Sequence, residues 1–386
     1  MKKMHKLAVI GASYLQLPLV KKAKELGIYT ICFAWEEGAV CKEAADEFYP
    51  ISVIEKDQIL AVCREKQIDG VCTIASDVAA PTVAYIAEKM GLVGNSYEAA
   101  LRANNKFLMR RAFSSCGISC PAYQRISSYE QLDSKILRFP VIVKPTDRSG
   151  SLGISEVVCF EDLYAAVETA LNYSFKQEVI VEEFIEGREI SVEFISYQGV
   201  HYPLQITDKV TTGSPHFVEL EHHQPADFTK KQYDRIYDLT KRALDALGVT
   251  NGASHSEYKI TADGKVYVME IGARMGGDFI GSDLVMLSTG YDFLKGVINV
   301  ALGRFEVPVF GEPHFAGVYF LCEETNYLQN IIKEAKSPLI VRAEITDEAL
   351  RPVLCSADRS GFFIYQSDKK IKIDRKNENF YCFPSI

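Results

Sequence analysis

The sequence lacks most of the features that classify a protein quickly. No apolar run approaches the roughly 20 residues of a membrane-spanning helix. Positive charge is not in excess: 43 Lys and Arg stand against 51 Asp and Glu, a formal net charge of −8, which leaves no basic footprint for nucleic acid. An acidic total does not exclude an anionic substrate, because a single cleft can be basic. The ten cysteines are scattered. None forms a CxxC, and Cys116 and Cys120 have no nearby His or Cys partner, so neither a zinc site nor a disulfide framework is expected and a reducing cytoplasm fits. No internal repeat or low-complexity linker is present, and no Ser, Cys or His stands in a nucleophile arrangement. The N-terminal MKKMHKLAVIGAS has lysines, but its apolar run is too short for a signal peptide and reads as a first buried strand. After that strand the dinucleotide fingerprint GxGxxG is missing, since Gly11 is followed by Ser13 and Leu15.

What is present is enough for a large globular chain. At 386 residues and 47% apolar composition, two or three domains are expected. The first hundred residues alternate strand and helix: KLAVIGAS, LPLVKKAKELG, IYTICFA, KDQILAVCREKQ, DGVCTIA, APTVAYIAEKMGL. That alternation predicts a parallel sheet with helices on both faces and ligands at the carboxyl ends of the strands. Gly11, Ala12, Ser13, Ser76 and Asp77 lie at those ends. A helix is expected over 104–120 with its N-cap at Asn104 or Asn105, then mixed strands and helices with antiparallel pairs. A long amphipathic helix is expected over 229–247, starting at Thr229. Residues 315–374 read as strands, one helix and turns.

Two stretches carry chemistry. In VIVKPTDRSGSLGISEV, Lys144 closes an apolar strand and precedes Gly150 and Gly153, the reverse of the phosphate loop GxxxxGK[ST]. A cation after such a run needs an anionic partner or a route for its head to water. In ASHSEYKITADGKVYVMEIGARMGGD, alternating runs flank Asp263-Gly264, a two-residue hairpin signal. That loop pairs Ala262 with Lys265, hence Glu257 with Glu270, His255 with Gly272 and Lys259 with Val268. Arg274 falls on the Glu270 face if the strand continues. Like charges directly opposite are destabilising, and a buried carboxylate is costly, so a divalent cation such as magnesium would resolve the conflict. Two solvent-facing glutamates on an edge hairpin are the plainer alternative.

Four stretches, in order, resemble the ATP-grasp family and its carboxylate–amine ligase and biotin-carboxylase-like branch: NKFLMRRAFSSCGISCP, FPVIVKPTDRSGSLGISEV, VIVEEFIEGREISVE and SHSEYKI…VYVMEIGARMGGD. The resemblance runs over about residues 1–305. It implies an α/β and α+β chain: an N-terminal Rossmann-like parallel-sheet domain (1–103), a two-lobed ATP-grasp domain (104–305, the lobe around 120–186 covering the nucleotide) and a small C-terminal α+β lobe (306–386). By the same resemblance Lys106 and Lys144 hold nucleotide phosphates, and the loop of Ser149, Gly150, Ser151 and Gly153 folds over them. Glu182 meets the adenine amino group, Glu183, Phe184 and Ile185 supply hinge contacts, and Glu189 binds the ribose. Taken without the resemblance, Glu182 and Glu189 are equally well plain solvent-facing charges. Glu257 and Glu270 bind Mg2+, and Arg274 stabilises the phosphate in transfer. One position departs from the family, which often has asparagine where this chain has Gly272.

The reaction so implied is ADP-forming: ATP activates a small carboxylate, such as an amino acid or short peptide, as an acyl phosphate, and an amine then forms the amide. A bicarbonate-activating carboxylase and a non-catalytic nucleotide-binding regulator stand as alternatives. Substrate candidates are Asp77, which could equally cap the next helix, and Lys209, Glu219, His222 and His223 in the polar, turn-rich stretch 206–228, which could equally be a surface loop. Gly276, Gly277 and Arg274 are further candidates. Adjacent histidines on a strand point to opposite faces, which argues against a shared zinc. The expected partners are small-molecule carboxylate and amine substrates, with no nucleic acid, no membrane and room for a homodimer, in the cytoplasm.

Overall fold

A computed structural model describes residues 4–133, 138–148, 152–374 and 379–382. The early strand–helix alternation builds a parallel sheet of β1 (Lys6–Ile10), β2 (Tyr29–Phe33), β3 (Glu47–Tyr49) and β4 (Gly70–Cys72), in the order β3-β2-β1-β4. Its helices are α1 (Leu17–Glu25), α2 (Lys56–Lys66) and α3 (Ala80–Met90). The strands read as continuous apolar runs because both faces are covered. Leu7 and Val9 pack into one core with α1, and Ala8 and Ile10 pack into another with α2 and α3. The short edge strand β3 has no sequence signal of its own.

The chain leaves this sheet through α4 (Tyr97–Asn104) and α5 (Lys106–Ser115). Asn105 is the N-cap of α5, its side-chain oxygen accepting the Leu108 N–H at 3.0 Å. The helix stops at Ser115 rather than 120, and Gly117, at φ +64°, takes the left-handed turn that follows. A small antiparallel sheet comes next, β5 (Tyr123–Ile126), β6 (Val141–Pro145), β7 (Ser155–Val157) and β8 (Val179–Glu183), ordered β5-β8-β6-β7 and backed by α6 (Leu163–Tyr173).

The largest sheet has eight strands, joined in the order β13-β12-β9-β10-β11-β14-β16-β15. They are β9 (Arg188–Tyr197), β10 (Val200–Thr211), β11 (Glu219–Gln224), β12 (Gly252–Ile260), β13 (Val266–Gly272), β14 (Phe315–Leu321), β15 (Ile340–Ile345) and β16 (Gly361–Ser367). The stretch 206–228 is therefore largely two strands and not a surface loop. α7 (Lys230–Leu247) opens with a reciprocal Thr229–Gln232 cap and buries Ile236, Ala243 and Leu244 against Ile190, Val192 and Phe194 of β9. The alternate residues of β9, Glu189, Ser191 and Glu193, face the other way. That second face carries the polar residues described below. Short helices α8 (Val285–Thr289) and α9 (Phe293–Ala301) return the chain toward the first sheet, where α9 packs beside α1. α10 (Leu328–Glu334) packs on the β14–β16 end, and β17 (Ile371–Asp374) and β18 (Asn379–Cys382) form a ribbon. The parallel and eight-stranded sheets are stitched together directly: Ile74 and Met275 form a bridge, and the Ala75 N–H donates to the Met275 carbonyl at 3.0 Å. Among the described residues no helix is long and apolar enough to cross a membrane.

Candidate active site

A cleft of about 550 Å³ opens on the polar face of the eight-stranded sheet, lined by Lys106, Lys144, Lys209, Glu257, Glu270 and Arg274 among others. The hairpin at its heart differs from the sequence expectation in two ways that cancel. Its loop is three residues, Ala262 to Gly264, with Gly264 at φ +80°, and Thr261 pairs with Lys265. Lys259 consequently faces Tyr267 and not Val268. A β-bulge then inserts Met269 as an extra residue in β13, and beyond it the register returns to the expected one. Glu257 lies opposite Glu270, and His255 opposite Gly272.

The two carboxylates do not face each other unrelieved. Lys209, its side chain 6% exposed, reaches Glu257 at 2.6 Å and Glu219 at 3.3 Å. Lys106 Nζ donates to Glu270 at 3.1 Å and to the Arg148 carbonyl at 2.7 Å. Beneath Glu257, His255 contacts it through Nε2 at 3.3 Å and the fully buried Glu193 through Nδ1 at 2.5 Å. Burial opposes a charge on His255, but Glu193 and then Glu257 raise its pKa to about 9, so both ring nitrogens donate at neutral pH. Burial likewise raises the Glu257 carboxyl, and Lys209 and His255 overcome this and hold it well below the carboxylate range. Glu257 and Glu270 are each about one-third exposed, at 34% and 29%, toward the cleft. Among the described residues no cluster of three or more His, Cys, Asp or Glu offers a closed metal cage. Two opposed carboxylates on an open cleft suit Mg2+, which keeps waters and takes further oxygens from substrate phosphates.

Lys144 is not a lone cation. It contacts Glu182 at 2.6 Å, and Arg110 holds the same carboxylate at 2.6 Å, all three side chains being buried. Burial pushes the Glu182 carboxyl up, but Arg110 and Lys144 outweigh it and set the pKa at about 2. On Lys144 burial prevails over the attraction of Glu182, and its ammonium lies below the usual lysine value. Arg110 was not singled out in the sequence, although it lies four residues after Lys106 and so on the same helix face. In the stretch expected to supply hinge contacts, Glu183 is exposed, Ile185 is buried, and the N–H groups of Glu183 and Phe184 donate to the Ala122 and Pro140 carbonyls. Glu189 contacts Lys259 at 3.1 Å, whose ammonium lies over the rings of Phe184 and Phe217. Ser149, Gly150 and Ser151 fall outside the described residues. Gly153, at φ +72°, has Tyr173 and Pro145 within 3.1 Å of where a Cβ would be, so only glycine fits there.

Three assignments need correction. Asp77 neither caps α3, whose N-cap is Ala79, nor stands free: it takes two hydrogen bonds from Arg274, at 2.8 and 2.7 Å. Arg274 accordingly does not extend the Glu270 strand, which ends at Gly272, but turns to Asp77. A Cβ on Gly272 would lie 2.8 Å from Asp77 Oδ1 and 3.0 Å from Arg274 Cζ, so the ion pair fills the space that a side chain at this position would need. His223 points away from the cleft, bonded to Tyr365 and Glu221, each at 2.9 Å. His222 does line the cleft, beside Asp278, and burial lowers its pKa so that it is neutral. Gly276 passes close to His255 and Glu193, and Gly277 lines the cleft. Asp278, Arg359 and Glu193 were not foreseen. Glu193 is signalled by its place four residues after Glu189 on one strand face, whereas nothing marks Arg359 in the sequence.

Residues 137–283 match the family described as the ATP-grasp domain. The alanine–anticapsin ligase of Bacillus subtilis (strain 168) is 27% identical over 245 residues, covering 57% of this chain and 51% of that protein. A D-alanine–D-alanine ligase of Geobacter sulfurreducens is 28% identical over 207 residues, covering 50% of this chain and 63% of that protein. The chain thus spans about half the length of the first of these relatives. Among solved structures, an L-amino acid ligase from Bacillus licheniformis superposes with a TM-score of 0.77 at 24% identity, over 95% of this chain and 94% of that one, which establishes a shared fold.

Proposed function

We propose, from the match of residues 137–283 to the ATP-grasp domain family, that the chain is an ATP-dependent, ADP-forming ligase joining a small carboxylate to an amine. The observation that carries the proposal is the pair Glu257 and Glu270, directly opposed on one hairpin with Lys106, Lys144, Lys209 and Arg274 lining the same cleft. Four cations, each held in place by a carboxylate, beside two opposed glutamates suit a polyphosphate that arrives with its own counter-ion. Both named relatives are ligases that act on alanine or D-alanine, which supports an amino acid or short peptide as the carboxylate.

Glu257 and Glu270 would hold Mg2+, which when bound neutralises charge on the phosphate oxygens. Phosphoryl transfer needs positioning and charge stabilisation more than a protein nucleophile. In the first step a carboxylate oxygen attacks the γ-phosphorus of ATP, the bond to the β-phosphate oxygen breaks, and ADP leaves. Lys106 and Lys144 offer their ammonium groups to the phosphates, and Arg274, fixed by Asp77, offers its guanidinium to the group in transfer. In the second step the amine nitrogen attacks the acyl carbon and the carbon–oxygen bond to phosphate breaks. Of the two protons the ammonium gives up, one leaves on the phosphate and one passes to a base. Neutral His222, lining the cleft, is suited to receive it. Glu182 and Glu189, with the hinge residues Glu183, Phe184 and Ile185, would take the adenosine end, and Ser149, Gly150, Ser151 and Gly153 would cover the phosphates.

ADP release against a panel of amino acids, with and without bicarbonate, tests this. Release that requires both a carboxylate and an amine is the expected result. Release driven by bicarbonate alone, or ATP binding without turnover of any carboxylate, would refute it.

A further inference from the structure

Beside the cleft lies a second and larger chamber, of about 870 Å³. The two spaces meet at Asp278 and Arg359, which line both. One wall of the chamber is apolar, made by the rings of Phe279, Phe320 and Phe362 with Leu17 and Pro18 at the start of α1, while Lys21, Asp283, Arg342 and Glu344 also line the space. Phe279 and Phe362 lie with ring centroids 4.3 Å apart, and Arg342 caps them at 5.4 and 4.9 Å. Neither glutamate of the hairpin, nor Lys106, Lys144 or Arg274, reaches this space. It is not built for phosphates.

The mouth is charged. Arg359 donates to both oxygens of Asp278, at 2.9 and 2.7 Å, and lies 3.8 Å over the ring of Phe320. Asp278 and Phe279 hold φ values of +49° and +63°, a left-handed conformation that is uncommon for non-glycine residues. This conformation turns the acid to the mouth and the ring to the wall. His222 adds a polar group at the same place: it is 1% exposed, 3.7 Å from Asp278, and neither ring nitrogen has a hydrogen-bond partner among the described residues.

We infer that the chamber is the subsite of the amine substrate, and that this substrate is an α-amino acid with a bulky apolar side chain. The side chain lies among the three phenylalanines, the α-carboxylate binds Arg359, and the α-amino group faces Asp278 and His222. A fixed cation and anion side by side match the two ends of a zwitterion, and aromatic walls match an apolar substituent. The volume also exceeds what a methyl side chain would fill. Arg359 stands where the two spaces meet, and a carboxylate held on its chamber side is away from Glu257, Glu270 and Arg274, none of which lines the chamber, so it is not the one activated. The assignment of the occupant as amine substrate rests on the ligase proposal above; its binding does not.

Calorimetric titration of the full chain, loaded with MgADP, is the test. L-phenylalanine should bind at least tenfold more tightly than L-alanine or L-glutamate. L-phenylalanine amide and 3-phenylpropionate, which each lack one charge, should lose at least tenfold. Arg359→Gln and Phe362→Leu should lower phenylalanine affinity by a similar factor, and because the first breaks a buried ion pair, the two analogues carry the test if it does not fold. Equal binding of alanine, preference for glutamate, indifference to either missing charge, or no binding of any amino acid would overturn the inference. ADP release with some carboxylate–amine pair but no phenylalanine binding would overturn the chamber assignment alone. Phenylalanine binding with no ADP release from any pair would instead remove the ligase proposal and with it the occupant's role as acceptor.

Discussion

Asp77→Asn is the substitution in which the geometry makes the sharpest demand. The asparagine keeps the shape and one acceptor oxygen but removes the charge that holds the Arg274 guanidinium by two hydrogen bonds, at 2.8 and 2.7 Å. Both side chains are largely buried, at 15% and 14% exposure, so water does not replace the loss cheaply. A hydrogen bond to a charged group contributes about 1.5–3 kcal/mol, and each 1.4 kcal/mol is about tenfold in rate. If Arg274 stabilises the transferring phosphate only when so held, kcat for ADP release should fall roughly 10–100-fold while KM for ATP changes little. Gly272→Ala should injure the same pair from the other side, since its Cβ would sit 2.8 Å from Asp77 Oδ1. The two losses should therefore not multiply: a double-mutant cycle with Asp77→Ala should show a coupling of about 1 kcal/mol or more. Steady-state ADP release on the four proteins, with melting temperatures as control, reads this out. Multiplicative losses, or near-normal turnover in either single variant, would refute the claim that Asp77 positions Arg274.

Three further outcomes follow from the same cleft. Glu270→Gln should reduce ADP formation by roughly 100-fold or more with an unchanged circular dichroism spectrum, because several kcal/mol of charge stabilisation depends on the ligand it supplies. Lys144→Ala should weaken ATP binding about 10–100-fold by equilibrium titration, and an unaltered affinity would remove its phosphate role. Glu182, with its folded pKa at about 2 against an unfolded value of 4.5, contributes stability that is fully present above pH 4.5 and is lost as pH falls toward 2. The shift corresponds to about 3 kcal/mol, and urea unfolding between pH 6 and 2.5 should show Arg110→Met losing most of that acid-dependent part.

The sequence disclosed local order better than remote contacts. The parallel sheet follows from short-range alternation, and the caps of α5 and α7 are written in Asn105 and Thr229. The Glu257–Glu270 pairing was legible too, though for an incomplete reason: a two-residue loop was inferred, and the longer loop and the Met269 bulge compensate for each other. Lys144 pointed to an anionic partner, and that partner within the protein is Glu182, 38 residues away and shared with Arg110. Contacts such as Arg274 with Asp77 or Arg359 with Asp278 join residues 197 and 81 positions apart, and neither periodicity nor propensity encodes such distances. The polar stretch 206–228 left substrate contacts and a surface loop equally open. Its residues are polar because alternate positions of β10 and β11, such as Lys209 and His222, face the cleft.

The stitch between the first sheet and the largest one restricts how the molecule can breathe. With Ile74 bridged to Met275, Ala75 bonded to it and Asp77 clasping Arg274, those two layers move as one body. Lys144 of the small sheet β5–β8 and Glu270 of the largest sheet line the same cleft, so any widening of it to admit a nucleotide would fall to the small sheet. Arg110 to Glu182 and Lys106 to the Arg148 carbonyl are among the links that such a movement would load. The rate of product escape would be set there, at a distance from the bond being made.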